Sequence, residues 1–294
     1  MMPAPVERFF HNGEVAINYA EFPPSTGSGR RREGGKPLLL IHGLSGRWQG
    51  WRPVIPGLTE RWHVYAIDLR GHGRSGHATA VYDRAAYSKD AAAFIEKVVG
   101  GPACVIGHSL GALTALGVAA GWPMLVKAFV MEDPPLYVHD RWEGSSSLPG
   151  FVKMRELAES GLSVGQIATE ISKVMPERGP DGWQERAECI FQMDHVVWQG
   201  VFGGHYAMKK DSDPLLKTAA PPAFLMQAEP SLGAALEDGE ARHAMSLLPA
   251  AQFVKWPDSG HGMHSTFPDR FVERGAHRNE LREAIAEVER NVED

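Results

Sequence analysis

Residues 102–123 read Pro-Ala-Cys-Val-Ile-Gly-His-Ser-Leu-Gly-Ala-Leu-Thr-Ala-Leu-Gly-Val-Ala-Ala-Gly-Trp-Pro. The apolar run from Ala103 to Ile106 has the character of a buried strand, and the Ala/Leu-rich stretch after it that of a helix ending at Gly121 and Pro123. Between them Gly107-His108-Ser109-Leu110-Gly111 makes a G-x-S-x-G turn. A serine on so sharp a strand-to-helix turn takes strained backbone dihedrals, and the residues two before and two after it must be nearly free of side chain. Gly107 and Gly111 meet that demand. Such a turn lifts the Ser109 hydroxyl above the sheet edge, where the free N–H groups and positive end of the next helix face it. A chance match is common in a chain with 32 glycines, but one seated between a strand and a helix is not.

Outward from this turn the chain alternates strands and helices. Upstream, Arg8-Phe9-Phe10 and Val15 to Tyr19 flank Asn12-Gly13, a hairpin signal. Leu38-Leu39-Leu40-Ile41 is a continuous apolar strand of the kind buried on both faces. A short helix over 51–60 leads to a strand at 63–67, and residues 86–99 carry apolar side chains at helical spacing. Downstream, Lys127 to Met131 is a strand that closes on Glu132-Asp133-Pro134-Pro135. The alternation stops from about 134 to 219, where amphipathic segments appear at 150–160, 163–175, 181–197 and 200–210. Ser163 is the N-cap of the second, with Ile167, Ile171 and Val174 on one face. Strands resume at 223–227 and 252–256, with a helix over 239–247 capped by Asp238 and a final helical region over 267–290.

Composition narrows the function classes. A chain of 294 residues with 43% hydrophobic content can bury one large core or two modest ones. A net charge of −6 gives no electrostatic reason to expect nucleic acid or an anionic membrane, and the one basic run, Arg30-Arg31-Arg32, sits in a Gly/Ser-rich loop. Two cysteines, Cys104 and Cys189, cannot make a disulfide framework. The first residues lack an apolar signal core, and nowhere do 18 apolar residues run together, so a cytoplasmic protein is expected.

A serine hydroxyl is a weak nucleophile and needs a base within hydrogen-bond reach. His261, in Ser259-Gly260-His261-Gly262 after the last strand, is the candidate, with His264 the alternative three residues on. Read as a metal pair, His261 and His264 lack a clear third ligand. Gly71-His72-Gly73-Arg74-Ser75-Gly76 is formally a dinucleotide fingerprint, but a polar loop through Asp83 stands where the helix should begin. Its glycines read instead as a tight turn beside the active site, and no metal or organic cofactor is expected.

Four motifs in order, His42-Gly43, Asp68 through Ser75, Gly107 through Gly111 and Ser259-Gly260-His261, resemble those of the α/β-hydrolase fold family. The resemblance covers nearly the whole chain apart from 134–219. It implies a mostly parallel eight-stranded sheet with helices on both faces, residues 1–133 and 220–294 forming the core and 134–219 a helical cap. It also implies a triad of Ser109, His261 and an acid, with the backbone N–H groups of Leu44 and Leu110 as the oxyanion hole.

The acid departs from the family's common pattern. Where an aspartate usually follows the seventh strand, this chain has Ser231, in Gln227-Ala228-Glu229-Pro230-Ser231. Some dehalogenases and lactonases of the family place the acid after the sixth strand instead, and matching Val126 through Asp133 to them puts Asp133 at that position. Strand alternation sends Glu132 and Asp133 to opposite faces, so only one can face His261. Asp133 is the choice, with Glu132, Glu229 and Asp238 as alternatives.

The expected activity is hydrolysis of a carboxylic ester or lactone. A carbon–carbon bond hydrolase on the same triad, or a receptor with little turnover, is the alternative. Trp142, Trp183, Phe191, Met193, Trp198, Phe202 and Tyr206 of the cap suggest an apolar small-molecule substrate, although a cap needs such residues simply to pack. A homodimer is compatible with this reading.

Overall fold

Asn12 and Gly13 build the first turn: the Asn12 side-chain oxygen accepts from the N–H groups of Glu14 and Val15, and Gly13 takes φ +102°. The turn joins β1 (Val6–His11) to β2 (Ala16–Phe22). The computed structural model describes residues 5–24, 35–79, 82–143, 148–204, 206 and 208–273. Six further strands follow: β3 (Lys36–Ile41), β4 (Trp62–Ile67), β5 (Ala103–His108), β6 (Val126–Glu132), β7 (Ala223–Ala228) and β8 (Ala251–Trp256). They form one sheet in the order β1-β2-β4-β3-β5-β6-β7-β8, in which β2 runs antiparallel to both its neighbours, β1 and β4, and the other pairs are parallel.

Period-two alternation divides the apolar side chains between two cores, as a sheet covered on both faces requires. Leu39, Ile41, Val105, Phe129, Met131 and Leu225 face α2 (Arg84–Phe94) and α3 (Leu110–Gly121). Leu38, Leu40, Ile106, Val130, Phe224 and Met226 face the other way, against Trp48, Trp51, α1 (Ile55–Leu58) and Phe271. The strand order reverses at β3, with β4 on one side and β5 on the other. In a parallel α/β sheet the crevice for a ligand opens beyond the carboxyl ends of the strands at that reversal. The loop after β3 and the turn after β5 therefore meet there.

Between β6 and β7 lie α4 (Leu148–Glu159), α5 (Val164–Val174), α6 (Gly179–Gln192), α7 (Val197–Phe202) and α8 (Lys209–Thr218). Ser163 caps α5 with Gln166 in a reciprocal capping box; Ile167 and Ile171 are buried, whereas Val174, expected on the same face, is 48% exposed. The helix expected to 197 stops at Gln192, because the Asp194 side chain accepts from the Val196 N–H and starts a new turn. Instead of one helix over 200–210 there are α7 and α8, and Pro214 lies inside the latter. These helices are tied to the sheet layer by polar contacts. Arg84 bonds the Tyr206 carbonyl and the Ser212 hydroxyl, and the Tyr82 hydroxyl donates to Asp194 at 2.6 Å.

Helix α9 (Asp238–Leu247) is capped by Glu237, in a reciprocal box with Glu240, rather than by Asp238; the Asp238 carboxylate instead accepts from Gln227 and Lys255. Two short helices, α10 (Met263–Thr266) and α11 (Pro268–Phe271), begin the expected terminal helical region, whose part beyond 273 lies outside the described residues, as does Arg30-Arg31-Arg32. Cys104 and Cys189 are both free and buried. Among the described residues no helix is long and apolar enough to cross a membrane.

Candidate active site

Ser109 sits between β5 and α3 with φ 53° and ψ −115°, its N–H donating to the Glu132 carbonyl at 3.0 Å. The glycines around it leave no room for a side chain. A Cβ on Gly107 would fall 2.1 Å from the Gly111 carbonyl oxygen, and one on Gly111 would fall 2.1 Å from the Ile41 carbonyl oxygen. Because the obstacles are backbone atoms, Gly111→Ala is expected to cost about 3 kcal/mol of stability. It should lower the urea midpoint with an unchanged m-value.

The loop after β3 is built by buried polar groups. The His42 Nδ1–H donates to the Gly43 carbonyl at 2.7 Å, and its Nε2 accepts from the Leu69 N–H at 3.0 Å. Burial pushes His42 down to about 4, the Gly43 bond offsetting this only in part, so the ring is neutral and serves to order the loop. Asp68 accepts from the Trp48 N–H at 2.7 Å, the Asn18 side chain at 2.8 Å and the Arg74 N–H at 2.9 Å, which fastens this loop to the next. Gly73, at φ +52°, packs so tightly on Asp68 that a Cβ would lie 2.3 Å from its carboxylate. The Gly71–Gly76 stretch is thus a turn around a carboxylate, and among the described residues no helix follows it before Arg84. Leu44 follows Gly43 at the cavity wall, and Leu110, as the first residue of α3, has no helical acceptor for its N–H.

At the end of β6 the side chains part as alternation requires. Asp133, fully buried at φ 42°, accepts from His261 Nδ1 at 2.6 Å and from the Ala235 N–H at 2.7 Å, both on Oδ2. Glu132, also fully buried, instead takes His264: its oxygens accept from His264 Nδ1 at 2.8 and 2.9 Å and from the His264 N–H at 2.9 Å. The two alternatives, Glu132 and His264, are therefore each other's partners. Glu229 and Asp238 are turned to Lys255, at 3.2 and 2.8 Å, and Ser231 bonds Glu229.

His108, which the sequence reading passed over, packs against both histidines, with ring centroids 4.5 Å from His261 and 5.0 Å from His264. Its Nε2–H donates to the His261 carbonyl at 3.0 Å, and burial followed by the two neighbouring imidazoles holds it far below the usual histidine range. Gly43 makes room for this ring, since a Cβ there would come within 2.8 Å of it. The signal was present as the second residue of G-x-S-x-G, but only the fold brings 108 and 261 together.

Ser109, His261, Leu44 and Leu110 all line one cavity of about 830 Å³, and residues from the helices between β6 and β7 line it as well. Of the apolar residues expected there, Trp142 and Tyr206 reach the wall. Trp183 instead donates to the Met175 carbonyl, Trp198 is core, and Phe191 is 57% exposed. Burial alone would push His261 down, but the hydrogen bond and charge of Asp133, with Glu132 behind it, outweigh this and raise it above 6.5. A general base works in its neutral form, so hydrolysis should rise with pH along a limb centred above 6.5. Asp133→Asn should move that limb down. A kcat/KM profile with its midpoint well below 6.5 would contradict the pairing.

Residues 38–274 match the profile of the Alpha/beta hydrolase family. A 2-(acetamidomethylene)succinate hydrolase of Mesorhizobium japonicum is 35% identical over 109 residues, 37% of this chain and 39% of that protein. A 2-hydroxy-6-oxo-6-(2'-aminophenyl)hexa-2,4-dienoic acid hydrolase of Metapseudomonas resinovorans is 33% identical over 130 residues, 43% of this chain and 41% of that protein. The chain thus spans about two fifths of the length of these curated relatives. The crystal structure of an E-2-(acetamidomethylene)succinate hydrolase superposes with a TM-score of 0.76 at 20% identity, covering 95% of this chain and all of the other, which is a likeness of fold.

Proposed function

We propose that this chain, which belongs to the Alpha/beta hydrolase family, is a serine hydrolase that cleaves a carboxylic ester or lactone through an acyl-enzyme. The observation that carries this reading is the 2.6 Å bond from Nδ1 of His261, which lines the same cavity as Ser109, to the buried Asp133 behind it. Asp133 fixes the imidazole with Nδ1 protonated, which leaves Nε2 free to accept a proton. In the first step the Ser109 oxygen attacks the substrate carbonyl carbon while its proton passes to His261. The negative oxygen is met by the N–H groups of Leu44 and Leu110. Collapse expels the alcohol with the proton from His261, and water, activated by the same histidine, then releases the acid. The segment 134–219 serves as the cap that closes the pocket and contributes Trp142 and Tyr206 to its wall.

A second reading has support of its own. The two curated relatives are named for substrates other than simple esters, and one is a dienoic acid hydrolase, so the same triad could direct water to a carbon–carbon or amide-type bond. A panel of 4-nitrophenyl esters, simple lactones, N-acylated enamines and a vinylogous diketone separates these readings. Ester or lactone turnover at least tenfold above the other classes supports the first. Turnover confined to the diketone or the enamines supports the second.

A further inference from the structure

We infer that Arg186 is the seat of a substrate carboxylate, so that the compounds cleaved at Ser109 carry a negative charge close to the reacting carbonyl. The inference rests on the hydrolase reading above and names its substrate class.

A guanidinium carries five N–H donors in one plane and stays charged at any working pH. When such a group is withdrawn from water, a carboxylate ordinarily accompanies it. Arg186, half-buried on α6 in the wall of the cavity, has no such partner among the described residues. Its Nη1 donates to the Ser45 carbonyl at 3.0 Å, while its Nε is buried without a hydrogen-bond partner. Among the described residues no Asp or Glu lies within ion-pair distance of it, although several pair with other arginines of the same cavity. Arg47 holds Glu188 at 2.7 Å, and Arg141 holds Glu240 at 2.9 Å. Burial, together with the like charge of Arg178, holds the Arg186 guanidinium below its ordinary value, Cys189 opposing them; an arriving anion would relieve both.

Position supplies the rest. Arg186 and Ser109 line the same cavity, and the carbonyl that Arg186 grips belongs to Ser45, at φ +50° directly after Leu44. Consecutive residues are about 3.8 Å apart. An anion on this guanidinium would sit beside the loop that carries the proposed oxyanion donor, which suits a substrate whose carboxylate stands a few bonds from the scissile carbonyl. That describes half-esters of short dicarboxylic acids, or lactones bearing a carboxylate. The remaining wall includes Leu113, Val138, Trp142, Phe151 and Val201. An apolar leaving or acyl group fits there, which narrows the apolar substrate expected from the sequence to one with a charged end.

The test compares mono-4-nitrophenyl succinate with 4-nitrophenyl butyrate, esters of similar length that differ in a terminal carboxylate. The kcat/KM ratio should favour the succinate by about 10-fold or more and fall about 10- to 100-fold in Arg186→Gln, with Arg186→Lys between. An equal loss on both esters would mean that Arg186 only holds the loop, and would overturn the assignment. Calorimetry with glutarate on Ser109→Ala provides a readout that needs no turnover: binding is expected, and its loss when Arg186→Gln is added. No glutarate binding, together with no succinate preference in the wild type, sinks the assignment but leaves the hydrolase reading intact. Arg186-dependent glutarate binding without turnover of any ester keeps the anion seat and removes the hydrolase reading.

Discussion

Ser109→Ala is expected to lower kcat by about 10⁵-fold on any substrate the wild type turns over, while leaving the protein folded. The magnitude follows from what is removed. Without Oγ there is no acyl-enzyme, and only the oxyanion donors and the binding surface remain to assist direct attack by water, a residual worth about 10³–10⁴-fold over the uncatalysed reaction. The fold should tolerate the change because the strain at φ 53° is borne by backbone bonds, from the Ser109 N–H to the Glu132 carbonyl and from the Ala112 N–H to the Ser109 carbonyl, which alanine keeps. A thermal transition unchanged within a few degrees beside the loss of turnover would separate chemistry from folding. Retention of a tenth of wild-type kcat would remove Ser109 from the nucleophile role.

The second large effect sets two adjacent carboxylates against each other. Asp133→Asn should cut kcat by about 10⁴-fold, because a neutral amide neither holds Nδ1–H in place nor offsets the imidazolium that forms. Glu132→Gln, one residue away and equally buried, should change kcat less than 10-fold. Its carboxylate instead holds His264 by both the ring and the N–H, so the expected loss is about 1–3 kcal/mol of stability, read as a lower urea midpoint. Steady-state kinetics and denaturation on the two variants check both halves. The reverse pattern, with Glu132→Gln the inactive one, would move the acid to the Glu132–His264 pair.

The two pairs also show where sequence reasoning reached its limit. The apolar runs of β3, β5 and β6 were legible because strands covered on both faces leave continuous apolar stretches. Ser109 was legible because its turn constrains three neighbouring positions at once. That Glu132 and Asp133 face different partners followed from alternation, but that Glu132 takes His264 depends on a loop 132 residues away. Arg186 was invisible for the same reason: its meeting with Ser45 spans 141 residues, and nothing local to α6 distinguishes it from a solvated arginine. Short-range chemistry misled in two places. Asp238 has the usual cap residue type, yet Glu237 takes the cap because Lys255 and Gln227 claim the aspartate. The amphipathic pattern reads only to 210, yet α8 runs on through Pro214 to Thr218, with Leu216 buried on one side.

The most direct measurement is reaction with a fluorophosphonate, followed by mass spectrometry of the digested protein. A phosphonyl adduct on Ser109 that is absent in Ser109→Ala, and formed much more slowly in Asp133→Asn, is the expected result. An adduct on another serine, or none on a folded wild-type protein that hydrolyses its substrate, would contradict a Ser109 acyl-enzyme.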